Sequence, residues 1–392
     1  MPQTFQRDRL TWLAYLFLAL YTFYLNALGP VTPFLKSEHG LTYTVSSLHF
    51  TAFAIGMILA GLFGHLVVQR IGRRHALWIA AAGISLGAVL LVLSRTPLLT
   101  ISGAVIMGTV GSLTVVIIPS LLSDWHGDLR AVAIGEANGL ASISSAAAPF
   151  LVGLSASLVD NWRLPLGLVA LAPLVLYASF RHVAFPASDA VTHPSRPAST
   201  RLPLLYWVYW GAIFLGVAVE FCMISWSADY AENILGLSKA NAAQAVSLFL
   251  GAMIIGRFAM SRLVERIPAR RLILVSLAIA AGGFVLFWRS DSSLFALTGL
   301  FITGLGVAGF YPLLVALAIG TAGNNSVQAS ARAALASGTA ILILPLVLGS
   351  LADAVGIQPA YGIVIVLLLA MFFMMQVAYR VQPAVQPTRV TQ

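Results

Sequence analysis

Cysteine is almost absent from this 392-residue chain. The one present, Cys222, lies inside an apolar run and has no partner, which excludes an intrachain disulfide framework. Charge is nearly as scarce. Only 9% of residues are charged while 59% are hydrophobic, and the mean hydropathy of +0.92 excludes a soluble globular protein. There is no Gly-rich phosphate loop ending in Lys-Ser or Lys-Thr and no second soluble domain, so ATP-driven work has nothing to run on. His, Asp and Cys are not clustered at metal-ligand or nucleophile spacing, which argues against a membrane-embedded enzyme and implies no cofactor. The pI near 10 would suit a nucleic-acid partner, but the excess comes from scattered Arg at the ends of apolar runs rather than from a basic stripe. No small-residue cleavage site follows the first apolar run, which is therefore expected as a retained helix rather than a signal peptide.

Long polar tracts are also rare, and the chain is organised around the one it has, Arg181 to Arg201. The two sides of that tract are copies. An offset of 196 residues carries Gly40-Leu41-Thr42 onto Gly236-Leu237-Ser238, Met57-Ile58 onto Met253-Ile254, Gly108 onto Gly304, Pro149 onto Pro345 and Gly153 onto Gly349, without a gap. The expected division is residues 1–180, a linker 181–203, and residues 204–392.

About 20 apolar residues are needed to cross ~30 Å of hydrocarbon. Twelve runs meet that requirement. The first six are Leu10 to Thr32, Tyr43 to Val68, His75 to Ser94, Leu98 to Leu122, Ala131 to Leu158 and Leu164 to Phe180. The second six are Leu204 to Ala228, Ala240 to Val264, Leu272 to Trp288, Leu294 to Thr321, Val327 to Ala352 and Ala360 to Tyr379. An isolated span must satisfy its backbone internally, and the runs are too long for barrel strands, so the expected fold is an all-α integral membrane protein of twelve transmembrane helices in two pseudo-symmetric six-helix bundles. Arg7, Arg9, Arg70, Arg73, Arg74, Arg130, Arg181, Arg196, Arg201, Arg262, Arg266, Arg270, Arg271, Arg380 and Arg389 fall on one side, against Lys36, Arg95, Arg163, Lys239 and Arg289 on the other. The positive-inside rule then puts both termini and the linker in the cytoplasm of a multi-pass plasma (inner) membrane protein. Tyr206, Trp207, Tyr209 and Trp210 suit an interfacial aromatic belt.

Two six-helix halves, a polar linker and the loop Gln69-Arg70-Ile71-Gly72-Arg73-Arg74 resemble the major facilitator superfamily of transporters over nearly the whole chain. The family's signature has Asp where this chain has Gln69. In the second copy, Glu265-Arg266-Ile267-Pro268 keeps an acid and loses the glycine. Gly135, Ser144, Ala148-Pro149 and Gly153 are similar to the exporter pattern of the fifth helix, with close packing as the plainer reading of those small residues. Glu220, Trp226, Tyr230, Gly236-Leu237-Ser238 and Gly256-Arg257-Phe258 look like the fucose permease-like sugar symporters.

Ionisable residues inside spans cost roughly 2.5 to 3.5 kcal/mol each on insertion scales. Glu136, Glu220, Arg257 and Arg332 stand there. In the resembling family the fifth and eighth helices are neighbours, so Glu136 and Arg257 are expected as a gate salt bridge, or else as a static pair. Arg332, the counterpart of Glu136 in the second copy, and the loop residues Arg70, Arg73, Glu265 and Arg266 complete the expected gating set. Glu220, with no basic residue on its own helix, is expected to carry the coupling proton, and His49 is a second candidate because imidazole titrates near neutrality. Tyr15, Thr22, Asn26 and Gly29 share one helical face. In the family the first, fourth, seventh and tenth helices line the cavity, which makes Tyr15, Thr22, Asn26, Ser112, Thr303 and Tyr311 expected substrate contacts, and Trp226 of the seventh run and Asn138 of the fifth are candidates beside them. The implied activity is secondary active transport of a small organic solute by a monomer, coupled to protons, as uptake symport or as drug-type efflux.

Overall fold

The computed structural model describes residues 5–185, 202–322 and 326–381. The middle of the expected linker, with Arg196 and Arg201, and the tail that carries Arg389 lie outside the described residues. Everything regular within them is helical. In chain order the first half contains α1 (Arg9–His39), α2 (Tyr43–Leu93), α3 (Pro97–Ile106), α4 (Leu113–His126), α5 (Arg130–Val159), α6 (Leu164–Ala170) and α7 (Ala172–Phe180). The second contains α8 (Leu204–Asn233), α9 (Lys239–Leu263), α10 (Ala269–Arg289), α11 (Ser293–Val307), α12 (Phe310–Thr321), α13 (Ser326–Val355), α14 (Ile357–Tyr361) and α15 (Ile363–Val381).

Nine helical stretches among the described residues are long and apolar enough to cross a membrane, and Leu164–Phe180 is a shorter apolar one. That count is three short of the expected twelve: Leu164–Phe180 falls below the length required, and two connections continue the helical path through a single glycine. Tyr43–Leu93 runs for 51 residues and is broken at Gly72, where φ is 79° and ψ 156°. The stretch Pro97–Val159 turns at Gly127, with φ 54°.

Local structure repeats at the offset seen in the sequence. Gly40 and Gly236 both end a helix with positive φ, 61° and 69°, a conformation that costs glycine little. Two residues later Thr42 and Ser238 cap α2 and α9, each accepting a hydrogen bond from the backbone N–H three residues on. Within the first half, Gly87 and Gly103 let α2 and α3 touch, so that a Cβ on either would lie 2.5 Å from the other's carbonyl oxygen. Gly283 and Gly299 do the same for α10 and α11, at 2.9 and 2.6 Å. Gly108 abuts the Phe53 carbonyl and Gly304 that of Phe249, again 196 residues on. Lipid offers helices no hydrophobic drive to associate, so close backbone approach through small residues supplies the packing. Gly108→Val and Gly304→Val should therefore each destabilise the protein by about 1–3 kcal/mol or more, because backbone blocks the new side chain. Gly139→Ala, which meets open space, should be neutral or better. Thermal unfolding in detergent would show the contrast, and equal losses at all three sites would contradict it.

The halves meet through α1 on α8, α2 on α13 and α5 on α9. The last two crossings are equivalent: a Cβ on Gly153 would meet Ala240 O at 2.3 Å, and one on Gly349 would meet Tyr43 O at 2.9 Å. All the closest approaches lie from mid-depth towards the end of the bundle opposite the chain termini, here the distal end. Towards the terminal end the helices part. Residues 61–67 of α2 are exposed on every side except that of Gly64, and residues 257–263 of α9 on every side except that of Met260. A cleft between the halves opens at the terminal end.

Candidate functional site

Glu220 sits near the middle of α8, and α9 packs beside it carrying Arg257. Arg257 Nη2 lies 3.6 Å from Glu220 Oε1, and Nη1 donates to Ser142 Oγ on α5 at 3.1 Å. The ion pair lies within the second half, and the hydrogen bond to Ser142 carries Arg257 across the seam to the first half at mid-depth. Tyr311, half-exposed on α12, is within electrostatic reach of Glu220.

This geometry overturns the expected Glu136–Arg257 bridge. The helices are neighbours as expected, but they run antiparallel from the Gly153–Ala240 crossing, and Arg257 extends inward towards Ser142 instead of outward towards Glu136. Glu136 is taken by Arg7, whose Nε and Nη2 donate to its two oxygens at 2.8 and 2.6 Å, and by the Tyr15 hydroxyl at 3.2 Å. Glu220 is likewise not without a charge partner, since Arg257 reaches it from the next helix.

The segment before α1 is held firmly at the terminal end. Asp8 caps α1 by accepting from Thr11 N at 2.8 Å, and it also accepts from Trp125 Nε1 at 2.7 Å. Burial pushes this carboxyl up, but the Thr11 and Trp125 donors outweigh burial and hold it below the usual Asp range. Phe5 rests against the His126 ring, 4.8 Å between centroids.

Most of the other expected contacts are committed to helix packing. Thr22 donates to Ala141 O and Asn26 Nδ2 to Ser145 Oγ, both at 3.0 Å, which fastens α1 to α5. Ser112 pairs with the Tyr21 hydroxyl at 2.9 Å, and Thr303 bonds back to Gly299 O at 2.7 Å, both fully buried. Trp226 is buried at the distal seam, where it donates to Pro345 O at 3.0 Å and packs on Tyr43 and Phe50. These five side chains do not face the cleft with free polar groups. Asn138 is exposed and bonds back to Ile134 O. His49 is buried with both ring nitrogens occupied, by Ser46 O at 3.0 Å and Thr100 Oγ1 at 2.9 Å, joining α2 to α3. Of the loop set, Arg73 pairs with Asp124 of α4 at 2.6 Å. Arg70, Glu265 and Arg266 form no ion pair among the described residues, and Arg332 stacks on Trp207 at 5.3 Å.

The strongest polar contacts at the distal seam fell outside the runs drawn from sequence. Lys36 Nζ donates to Asp229 Oδ2 at 2.8 Å, with the two side chains only 16% and 1% exposed, and Lys36 also lies 3.3 Å above the Tyr43 ring. Asp353 of α13 accepts from Tyr43 N and Thr44 N, both at 2.8 Å, and so caps α2 across the seam. The apolar runs end at Thr32 and Ala228, whereas α1 and α8 continue to His39 and Asn233 and bring Lys36 and Asp229 within the bundle. A helical extension of those two runs by one or two turns was the signal that would have found them.

The family profile described as Major Facilitator Superfamily matches residues 11–286 and 209–391. This chain belongs to the major facilitator superfamily. Membership makes it a multi-pass membrane protein of a transporter family, and curated relatives agree. It is similar to an uncharacterised MFS-type transporter of Yersinia pestis, 26% identical over 88% of this chain and 89% of the relative. It is also similar to the cyanate transport protein CynX of Escherichia coli, 26% over 78% of each chain, and to a glucose/galactose transporter of Brucella abortus, 27% over 84% of each. Among solved structures, a bacterial homologue of the human lysosomal transporter Spinster, in an inward-facing and occupied conformation, shares the superfamily fold with a TM-score of 0.75 at 17% identity, covering 96% of this chain and 98% of that one.

Proposed function

We propose that this superfamily member is a secondary active transporter that rocks residues 1–180 against residues 204–392 about a mid-depth site, driven by protons in the direction of uptake. On this reading Gly72 and Gly127 each divide a long helix into two spans, which with Leu164–Phe180 brings the number of spans to twelve. The terminal end carries most of the arginines, so the positive-inside rule assigns it to the cytoplasm and makes the described state inward-facing.

The observation that carries the proposal is the position of Glu220. It is a carboxylate at mid-depth on α8, beside the cleft, and its one ionic partner among the described residues comes from α9 at the seam. A group so placed can exchange protons with water when the cleft opens and become neutral when it closes. Symport of a small organic solute is favoured over efflux because the small residues of α5 that resemble exporters are used in packing: Ser144 donates to Ala19 O at 2.7 Å, and Ala148 and Pro149 are buried.

Glu220→Gln keeps shape and loses titration. In proteoliposomes it should abolish proton-gradient-driven accumulation while sparing solute exchange. Wild-type accumulation with an unchanged pH profile would remove Glu220 from the mechanism, and comparison of whole cells with inverted vesicles would fix the direction.

A further inference from the structure

The Arg257 guanidinium is under-used where it stands. Among the described residues it makes one hydrogen bond, to Ser142, and its 3.6 Å approach to Glu220 is longer than a hydrogen bond. Two other arginines show what a saturated pair looks like in the same molecule. Arg7 grips Glu136 with two donors, and Arg163 grips Glu38 with two more while its Nε donates to Val92 O. Arg257 has the same five-donor fork, is 42% exposed, and uses little of it. Glu220 accepts no hydrogen bond among the described residues.

An arginine fork left open at the seam is suited to a planar, two-oxygen anion, which can accept two parallel N–H bonds at once. Ser142 stands at the same point on the opposite half; its hydroxyl accepts from Arg257 and gives its one proton to Asn138 O at 2.8 Å, and a rotation of that hydroxyl would turn the proton to a bound anion. Gly139, one turn along α5, has open space beside it and leaves room for the solute body. We propose that Arg257 is the binding residue for a small carboxylate solute, with Ser142 as second donor and Glu220 as the group the solute displaces from the guanidinium. The proposal rests on the transporter reading and adds to it the chemical class of the cargo.

A ligand held by Arg257 and Ser142 touches α9 and α5 together, so its binding joins the two halves that must close over it. It also sets two carboxylates beside one guanidinium, which favours a protonated Glu220 in the loaded state. The titratable groups that face Glu220 from neighbouring helices are Arg257 of α9 and Tyr311 of α12. A carboxylate and a proton would then enter together.

The test is thermal unfolding of the full chain in nanodiscs with formate, acetate, lactate, pyruvate and benzoate, each beside its neutral amide. At least one acid should raise the unfolding temperature where its amide does not. Arg257→Gln should weaken that acid by at least about tenfold, the loss expected for a hydrogen bond to a charged group. Arg257→Lys, which keeps the charge and loses the fork, should retain part of the binding, and Glu220→Gln should bind as well as wild type or better. A panel with no acid-specific shift, or unchanged binding by Arg257→Gln, overturns the proposal. Accumulation of a neutral solute in proteoliposomes would then leave the transporter reading standing, whereas acid-specific binding without any accumulation would overturn that reading and leave this one.

Discussion

With Cys222 first replaced by alanine, Thr44→Cys combined with Ser350→Cys should stop transport completely on oxidation and restore it on reduction. The two hydroxyls stand 3.4 Å apart across the distal seam, one on α2 and one on α13. Cysteine side chains at those positions come within the range from which a disulfide closes with small adjustments. Next to them Asp353 already caps α2 from the other half, so the backbones are held in register. A bond here would hold the distal end shut, and a carrier that works by alternating access would be left open only on its terminal side. Cys222 must be removed because it is the chain's native thiol, although it is buried. Rapid cross-linking with transport unchanged would show that the distal end does not need to open, and alternating access would fail as a description of this protein.

Lys36→Met should be the most damaging single change at the same seam. It leaves the Asp229 carboxylate, only 1% exposed, with Asn233 Nδ2 at 2.9 Å and no opposite charge in contact. Removing one partner of a buried ion pair costs about 3–5 kcal/mol. The contact of Lys36 with the Tyr43 ring would be lost as well. Because the pair joins α1 to α8, much of the cost should fall on the distally closed state rather than on each half's own packing. Two readouts follow: a lower unfolding temperature, and slower cross-linking of the Thr44–Ser350 cysteine pair. Adding Asp229→Leu should recover most of both, since an apolar pair of similar volume can match a buried ion pair. If Lys36→Met unfolds and cross-links as wild type does, the bridge is not a lock.

Much of the fold could be read from residues one at a time. The helix ends were legible because Gly40, Gly236, Thr42 and Ser238 act locally, through backbone freedom and short side-chain caps, and the duplication was legible because equal contacts demand equal small residues at equal spacing. The close approaches of Gly87 with Gly103 and of Gly283 with Gly299 show that requirement met twice. Charge partners were not legible in the same way. Glu136 could be placed at the correct depth on the correct helix and still be assigned the wrong arginine, because Arg7 reaches it from a segment outside every span. Thr22, Asn26 and Ser112 were correctly seen as polar and inward, yet whether an inward hydroxyl meets a solute or a neighbouring carbonyl depends on a helix rotation of a few tens of degrees.

By itself, then, the sequence determined the solvent, the helical class, the twofold repeat and the positions where helices must end, since hydropathy, chain length and backbone conformation act along the chain. Only the tertiary structure decided that Arg257 turns towards Glu220 and Ser142, that Lys36 meets Asp229, and that the distal end is the closed one. The physical reason is that a polar contact forms over a few ångströms set by helix crossing, rotation and side-chain reach, and Arg257 with Ser142 and Lys36 with Asp229 lie 115 and 193 residues apart along the chain, where no local rule connects them.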